Sequence, residues 1–199
     1  DIDSMLKRGR LSVFDLRWAT SQSDKQFVAE RIMSQLYRAL LSKGGSDKLR
    51  FVLYIDELAG LLPPPPASPP SKRALELLLR QARAFGLGII VATQNPGDID
   101  SRLFGNIGTR FIGRLRTHTD IEKVATAMDL PPSELREDVS KLKAGGFVVS
   151  DAVDNRMHVL SARWLATYHR GPLSEEEIGW LNRGDAPKPD EPLPERVAD

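Results

Sequence analysis

Two adjacent carboxylates, Asp56 and Glu57, stand at the end of the apolar run Phe51-Val52-Leu53-Tyr54-Ile55. An unbroken run with aromatic and β-branched members fits a strand buried on both faces, and such strands belong to parallel α/β sheets. Ligands bind outside the carboxyl ends of those strands. In a nucleotide hydrolase the first acid helps hold Mg²⁺ on the phosphates, and the second orients and activates the attacking water. A solvated acidic turn is the plainer reading of the same pair.

A second apolar run, Leu87 to Ala92, leads into Thr93-Gln94-Asn95-Pro96-Gly97. The Gln94 amide offers both a donor and an acceptor, which suits a sensor of the γ-phosphate or of the attacking water. A turn amide satisfying its own backbone beside Asn95-Pro96 competes with that role. Arg80 and Arg83 fall near the end of the helix before this run, where a cation gains ~0.3–1 kcal/mol from the helix dipole. In ring ATPases an arginine of one subunit completes its neighbour's γ-phosphate site. Arg83 is the better candidate for that task and Arg80 the second, with a salt bridge from Arg83 to Asp56 or Glu57 of the same chain as the alternative.

The other half of the machinery is absent from the sequence. No GxxxxGK[ST] occurs, and Gly9, Gly44 and Gly45 lack both the spacing and the Lys-Ser/Thr pair of a phosphate loop. The residues are therefore expected to form the C-terminal half of a longer polypeptide. A binding or scaffold module derived from the same fold is the alternative that the missing loop leaves open.

Positioning these groups calls for alternating strands and helices. Leu11 to Leu16 reads as a strand, opened by a polar turn at Lys7 to Arg10. From Asp24 to about Ser42, the residues Phe27, Val28, Ile32, Leu36, Tyr37, Leu40 and Leu41 recur at helical intervals, and Gly44-Gly45 ends the helix. The prolines at 63 to 66, 69 and 70 force an extended, exposed loop after the acidic pair. Ser71 caps a helix to about Phe85 that turns Leu75, Leu78, Leu79 and Ala82 inward. Arg110 to Leu115 reads as a strand, and Thr119-x-x-Glu122 as a capping box for a helix whose Met128 is core. A short helix over about 133–143 follows, then a hairpin with strands near 147–152 and 156–163 turning at Asp154-Asn155. This order defines an α/β fold over residues 1–170. Ser174-x-x-Glu177 opens a docking helix over 171–182, and the proline- and charge-rich 183–199 reads as a disordered tail.

Composition narrows the classes. With 199 residues, 41% of them apolar, the chain can bury one substantial core. Lys and Arg number 28 against 27 Asp and Glu, a formal charge of +1, so no global positive field announces nucleic acid. Zero cysteines exclude disulfides and thiolate metal sites, and His118, His158 and His169 lack ligand spacing. No apolar run approaches the length of a membrane span, and a cytoplasmic location is expected.

Three segments, Tyr54-Ile55-Asp56-Glu57, Leu79-Arg80-Gln81-Ala82-Arg83-Ala84-Phe85-Gly86 and Val91-Ala92-Thr93-Gln94-Asn95-Pro96-Gly97-Asp98, resemble the HerA/FtsK superfamily of P-loop motor ATPases. The HerA-like branch fits best. Asn106-Ile107-Gly108-Thr109, Ile112-Gly113-Arg114-Leu115, Arg163-Trp164 and Arg170-Gly171-Pro172-Leu173 look like its C-terminal continuation. The resemblance implies a partial RecA/ASCE-like core with a largely parallel sheet and a C-terminal hairpin. It makes Asp56 the Walker B acid on the Mg²⁺ side, Glu57 the catalytic glutamate, Gln94 the sensor and Arg83 the arginine contacting nucleotide. It further implies ATP and Mg²⁺ as cofactors of the full-length protein, a homo-oligomeric ring, commonly a hexamer, acting on double-stranded DNA, and in some members a nuclease partner. Arg110, Arg114 and Arg116 then face DNA in a central pore, or else are solvated edge residues that blunt sheet pairing. The strand that leads into the phosphate loop lies centrally in such sheets, so two parts of this sheet are expected to lack the neighbour between them.

Overall fold

The computed structural model describes residues 2–7, 9–115, 117–151, 156–163 and 171–183. The chain divides into a unit over Asp1–Ala162 and another over Arg163–Asp199. In the first unit the order is α1 (Ile2–Met5), α2 (Gln22–Lys43), β1 (Phe51–Ile55), α3 (Pro70–Gln81), β2 (Leu87–Val91), β3 (Thr109–Ile112), α4 (His118–Ala127), α5 (Pro132–Lys141), β4 (Gly146–Asp151) and β5 (Arg156–Ser161). The second contains α6 (Glu175–Arg183), opened by the expected capping box: Glu177 N donates to Ser174 Oγ at 3.3 Å and Ser174 N to Glu177 Oε2 at 2.7 Å.

Ser21 caps α2, its Oγ accepting from Asp24 N at 3.0 Å, and Gly44 at φ 71° ends it. The buried stripe is Ala29, Met33, Leu36 and Leu40, which packs on Leu75 and Leu78 of α3. It is rotated from the expected one: Phe27 is 64% exposed and Leu41 50%. Phe27 lies about 160° from Ala29 around a helix of 3.6 residues per turn, so both cannot face one partner.

Helix α3 begins on Pro70 with Pro69 before it, and not at a Ser71 cap. Ser71 instead sits buried in the first turn, its Oγ donating to Leu61 O at 3.3 Å. Pro at the first helical position needs no cap for its own missing N–H, which frees the serine to hold the preceding loop. After Gln81 the chain tightens into a 3₁₀ turn over Ala82–Phe85 and leaves through Gly86 at φ 72°. A Cβ on Gly86 would stand 2.3 Å from Lys48 O, so glycine is required there on both counts.

Strands β1 and β2 pair in parallel, from Phe51 with Leu87 to Ile55 with Val91. Phe51, Leu53, Ile55, Ile89 and Val91 pack inward on the α2–α3 core. The opposite face is open, with Val52 56%, Tyr54 58% and Ile90 55% exposed, so β1 is half-buried where the sequence reads as buried on both faces. Its apolar outer face lacks a covering layer among the described residues.

The other strands form a separate antiparallel sheet in the order β3-β4-β5, with Ile112 opposite Val148 and Val148 opposite Val159. Ile112 and Val148 join Ile121, Val124, Leu135 and Val139 of α4 and α5 in a second core, with Met128 buried there as expected. Helix α4 starts two residues before the anticipated box: Thr117 is the cap, its Oγ1 accepting from Asp120 N at 3.1 Å. Asp120 occupies the third helical position, and its amide, not that of Glu122, is the one capped; its carboxylate takes the Thr117 hydroxyl and Gly97 N instead of closing a capping box. The Asp154-Asn155 turn lies outside the described residues, as does the segment 184–199.

The α/β class holds, with both parallel and antiparallel pairing: among the described residues the parallel pairing is that of β1 and β2, less than the largely parallel sheet expected. No ladder joins β2 to β3 among the described residues, in keeping with a sheet missing its middle. Residues 11–16 form no strand: Leu11 is 86% and Val13 80% exposed, and extended backbone without a neighbour has no ladder to join.

Candidate active site

Parallel, in-register pairing places the exits of β1 and β2 at one edge. Beyond the strands, Ala92 N donates to Ile55 O at 2.9 Å and Leu58 N to Ala92 O at 3.0 Å. Asp56 and Glu57 are thus held between two backbone hydrogen bonds to one residue of the neighbouring strand. The Thr93 hydroxyl donates to Glu57 Oε1 at 2.8 Å, and Ala59 N donates to the same oxygen at 3.2 Å. Neither contact falls on Oε2. Asp56 turns to the other side, where its Oδ1 accepts from Tyr54 OH at 2.7 Å. That bond to a carboxylate pushes the Tyr54 phenol above its usual range.

Gln94 is exposed at the tip of the β2 exit. The turn amide of Asn95 is taken by Thr93 Oγ1 at 3.1 Å, so Thr93 performs the local turn chemistry that the sequence offered to Gln94. The next residues are clamped by α4. Gly97 N donates to Asp120 Oδ1 at 2.9 Å, while Lys123 Nζ donates to Gly97 O. Further on, Asp100 is buried, and Lys72 and Arg102 hold its carboxyl well below the usual carboxylate range. The Arg102 hydrogen bonds are the largest cause, opposed by burial and reinforced by Lys72.

Asp56, Glu57 and Gln94 are therefore gathered at one edge. Arg80 and Arg83 are not with them. Both are exposed, at the end of α3 and in the turn before β2, and β2 runs away from them toward Gln94. Five residues of strand span about 16 Å. Neither arginine pairs with Asp56 or Glu57 among the described residues. Arg110 is half-buried on β3, where its Nη2 donates to Phe104 O at 2.7 Å and its buried Nε has no partner. Burial depresses its pKa. Arg114 is exposed and donates from Nη2 to Leu142 O at 2.6 Å, and Arg116 lies outside the described residues. A shallow groove of about 490 Å³ between α2 and α3, lined by Glu30, Ser34, Arg73 and Leu77, contains none of the edge residues.

Thr93, Lys72 and Asp100 were not singled out by sequence. Only Thr93 had a signal, as the residue between the strand and Gln94. An exposed Asp56 suits Mg²⁺, which takes one or two protein carboxylates together with phosphate and water oxygens. Glu57 presents Oε2 at the same edge for a water. The donor set thus fits the metal side and the water side of a nucleotide site, while the phosphate-loop motif is absent from the sequence.

The chain is 25% identical over 156 residues to the DNA double-strand break repair helicase HerA of Sulfurisphaera tokodaii, covering 75% of this chain and 30% of that protein. The HerA of Saccharolobus solfataricus is 23% identical over 152 residues, again with 75% and 30% covered. The chain spans less than a third of these curated relatives. Its fold is similar to that of the genome packaging NTPase B204 from Sulfolobus turreted icosahedral virus 2 in complex with ATP-γS. The TM-score is 0.60 at 18% identity, over 82% of this chain and 72% of that one. Residues 7–161 match the family described as Helicase HerA-like C-terminal, and the chain belongs to that family.

Proposed function

We propose that this chain is the C-terminal part of an ATP-driven DNA translocase or helicase, whose phosphate loop is supplied by sequence outside these 199 residues. One observation carries the reading: the β1 and β2 exits bring Asp56, Glu57 and Gln94 to one edge, with Glu57 fixed to the β2 exit through Thr93. The relatives named as helicases and as a genome packaging NTPase support it.

Bound Mg²⁺ supplies charge neutralisation on the phosphate oxygens. Asp56, exposed at the end of β1, would hold the ion. Glu57 accepts a proton at Oε2 from the attacking water, while its Oε1 stays anchored by Thr93 and Ala59 N. Gln94 orients that water or the γ-phosphate with its amide. Subunits assemble as a homo-oligomeric ring, a hexamer in this reading, around double-stranded DNA, with a nuclease as a further partner.

The test restores the upstream sequence and compares DNA-stimulated ATP turnover of wild type and Glu57→Gln. Removing the charge at constant size is expected to reduce turnover by about 10²–10⁴. Turnover that survives unchanged would overturn the role of Glu57.

A further inference from the structure

A lysine in the first turn of a helix opposes the helix dipole, and a buried lysine is costly unless every donor is matched. Lys72 accepts both penalties. It is the third residue of α3, and its side chain is 4% exposed. Its ammonium has three donors and meets three acceptors: Asp100 Oδ2 at 2.7 Å, Pro63 O at 2.8 Å and Ala67 O at 3.3 Å.

Asp100 is equally committed. Oδ2 takes Lys72 and Arg102, and Oδ1 takes Arg102 N at 3.1 Å and Nε at 2.9 Å. With its oxygens saturated by cations and amide, Asp100 is unsuited to be a third catalytic carboxylate. A buried ion pair is poor material for stability, since apolar residues of similar volume often do as well. Its value lies in what it fixes.

The groups gripped are informative. Pro63 and Ala67 belong to the loop that follows Glu57, and Asp100 to the segment that follows Gln94. Asp100 N also donates to Leu62 O at 3.0 Å, so the Asp100 backbone holds directly the loop that its side chain holds through Lys72. We propose that Lys72 and Asp100 form a buried latch that joins these two segments and so sets the position of Glu57 relative to Gln94. Both are positioning residues for nucleotide hydrolysis, which rests on the reading above. Asp120 and Lys123 tie Gly97, between Gln94 and Asp100, to α4, so the segment that follows Gln94 is held at two points, Gly97 and Asp100.

The experiment uses the protein with its upstream sequence restored. Four forms are compared: wild type, Glu57→Gln, Lys72→Met and Asp100→Asn. Methionine keeps the unbranched stem and removes the donors; asparagine keeps the shape and removes the charge. Misplacement by about 1 Å costs on the order of 10²-fold, so each latch variant is expected to lose roughly that in kcat, with KM for ATP within about twofold of wild type. Combining Lys72→Met with Asp100→Asn is expected to cost no more than the worse single change, because the two act as one unit. Circular dichroism and thermal melts establish the folded fraction, and kcat is expressed per folded subunit. A merely structural latch would lower Tm and leave kcat per folded subunit unchanged, which would overturn the proposal; if Lys72→Met fails to fold, Asp100→Asn decides on the same criterion. Turnover indifferent to Glu57→Gln would overturn the role of Glu57 and, with it, the latch that positions it. Turnover abolished by Glu57→Gln but normal in folded latch variants would overturn the latch alone.

Discussion

The hydroxyl of Thr93 stands 2.8 Å from Glu57 Oε1, linking the exit of one strand to the acid at the exit of its parallel neighbour. The same oxygen of Thr93 accepts from Asn95 N, which fixes the hydroxyl's donor direction toward the carboxylate. A hydrogen bond to a charged group is worth about 1.5–3 kcal/mol, and about 1.4 kcal/mol is tenfold in rate. Thr93→Val in the upstream-restored protein is therefore expected to lower kcat by about tenfold and leave KM for ATP nearly unchanged. Thr93→Ser, which retains the hydroxyl, is expected to stay within about threefold of wild type. Steady-state ATPase kinetics of the two variants provide the check, and equal kcat for valine and serine would remove Thr93 from the site.

The edge was legible because it is written in contiguous residues. Five apolar residues ending in Asp56-Glu57, and a second run ending in Thr93-Gln94, give strands, direction and exit chemistry together. Lys72 and Asp100 were not legible, since 28 positions separate them and each reads locally as an ordinary surface charge. Burial made them a pair, and burial is a tertiary property. Residues 11–16 failed for a related reason: Val13 and Phe14 have strand propensity, but a strand is defined by the neighbour that completes its hydrogen bonds. The β1 assignment was right in position and wrong in burial, because Val52 and Tyr54 face a side that no described element covers. The α4 cap moved because two threonines stand close together, whereas the Ser71 cap gave way to Pro69-Pro70. Thr117 and Thr119 both suit a cap, and position relative to Asp120 selected the first.

Acid should reveal the latch. Asp100 has its folded-state pKa lowered, chiefly by Arg102 and also by Lys72, against the opposing effect of burial. A depressed carboxylate pKa means that the ionised form stabilises the fold at every pH above the unfolded-state value of about 3.9, and that this contribution is lost as pH falls below it. In Asp100→Asn the pH-dependent part is absent, and Lys72 is left buried without its counter-charge, a loss on the order of 3–5 kcal/mol at neutral pH. Denaturant midpoints of the upstream-restored protein should thus differ most between wild type and Asp100→Asn above about pH 5. The gap should narrow steadily as pH is lowered through 4 toward 2. A difference that is constant over that range would mean that the ion pair contributes nothing to folding.

Arg83 sits at the end of the β1–β2 sheet opposite Glu57, which bears directly on how it could reach nucleotide. Within one chain, about 16 Å of strand separates the turn before β2 from the edge where Glu57 and Gln94 emerge. An arginine side chain is shorter than that span, and no ion pair joins Arg83 to Asp56 or Glu57 of the same subunit among the described residues. If Arg83 acts at the γ-phosphate, this geometry favours action on a neighbouring subunit of the proposed ring. Full-length subunits carrying Arg83→Ala are to be mixed with subunits carrying Glu57→Gln, and the steady-state ATPase rate of the mixed rings measured. Each parent ring lacks one group at every site. In mixed rings, an interface whose Glu57 comes from an Arg83→Ala subunit and whose Arg83 comes from a Glu57→Gln neighbour has both groups intact. For random mixing at equal amounts about a quarter of the interfaces are of that kind, so turnover should recover to about a quarter of wild type if sites act independently. A mixture that never exceeds the better parent would exclude Arg83 from the neighbour's site.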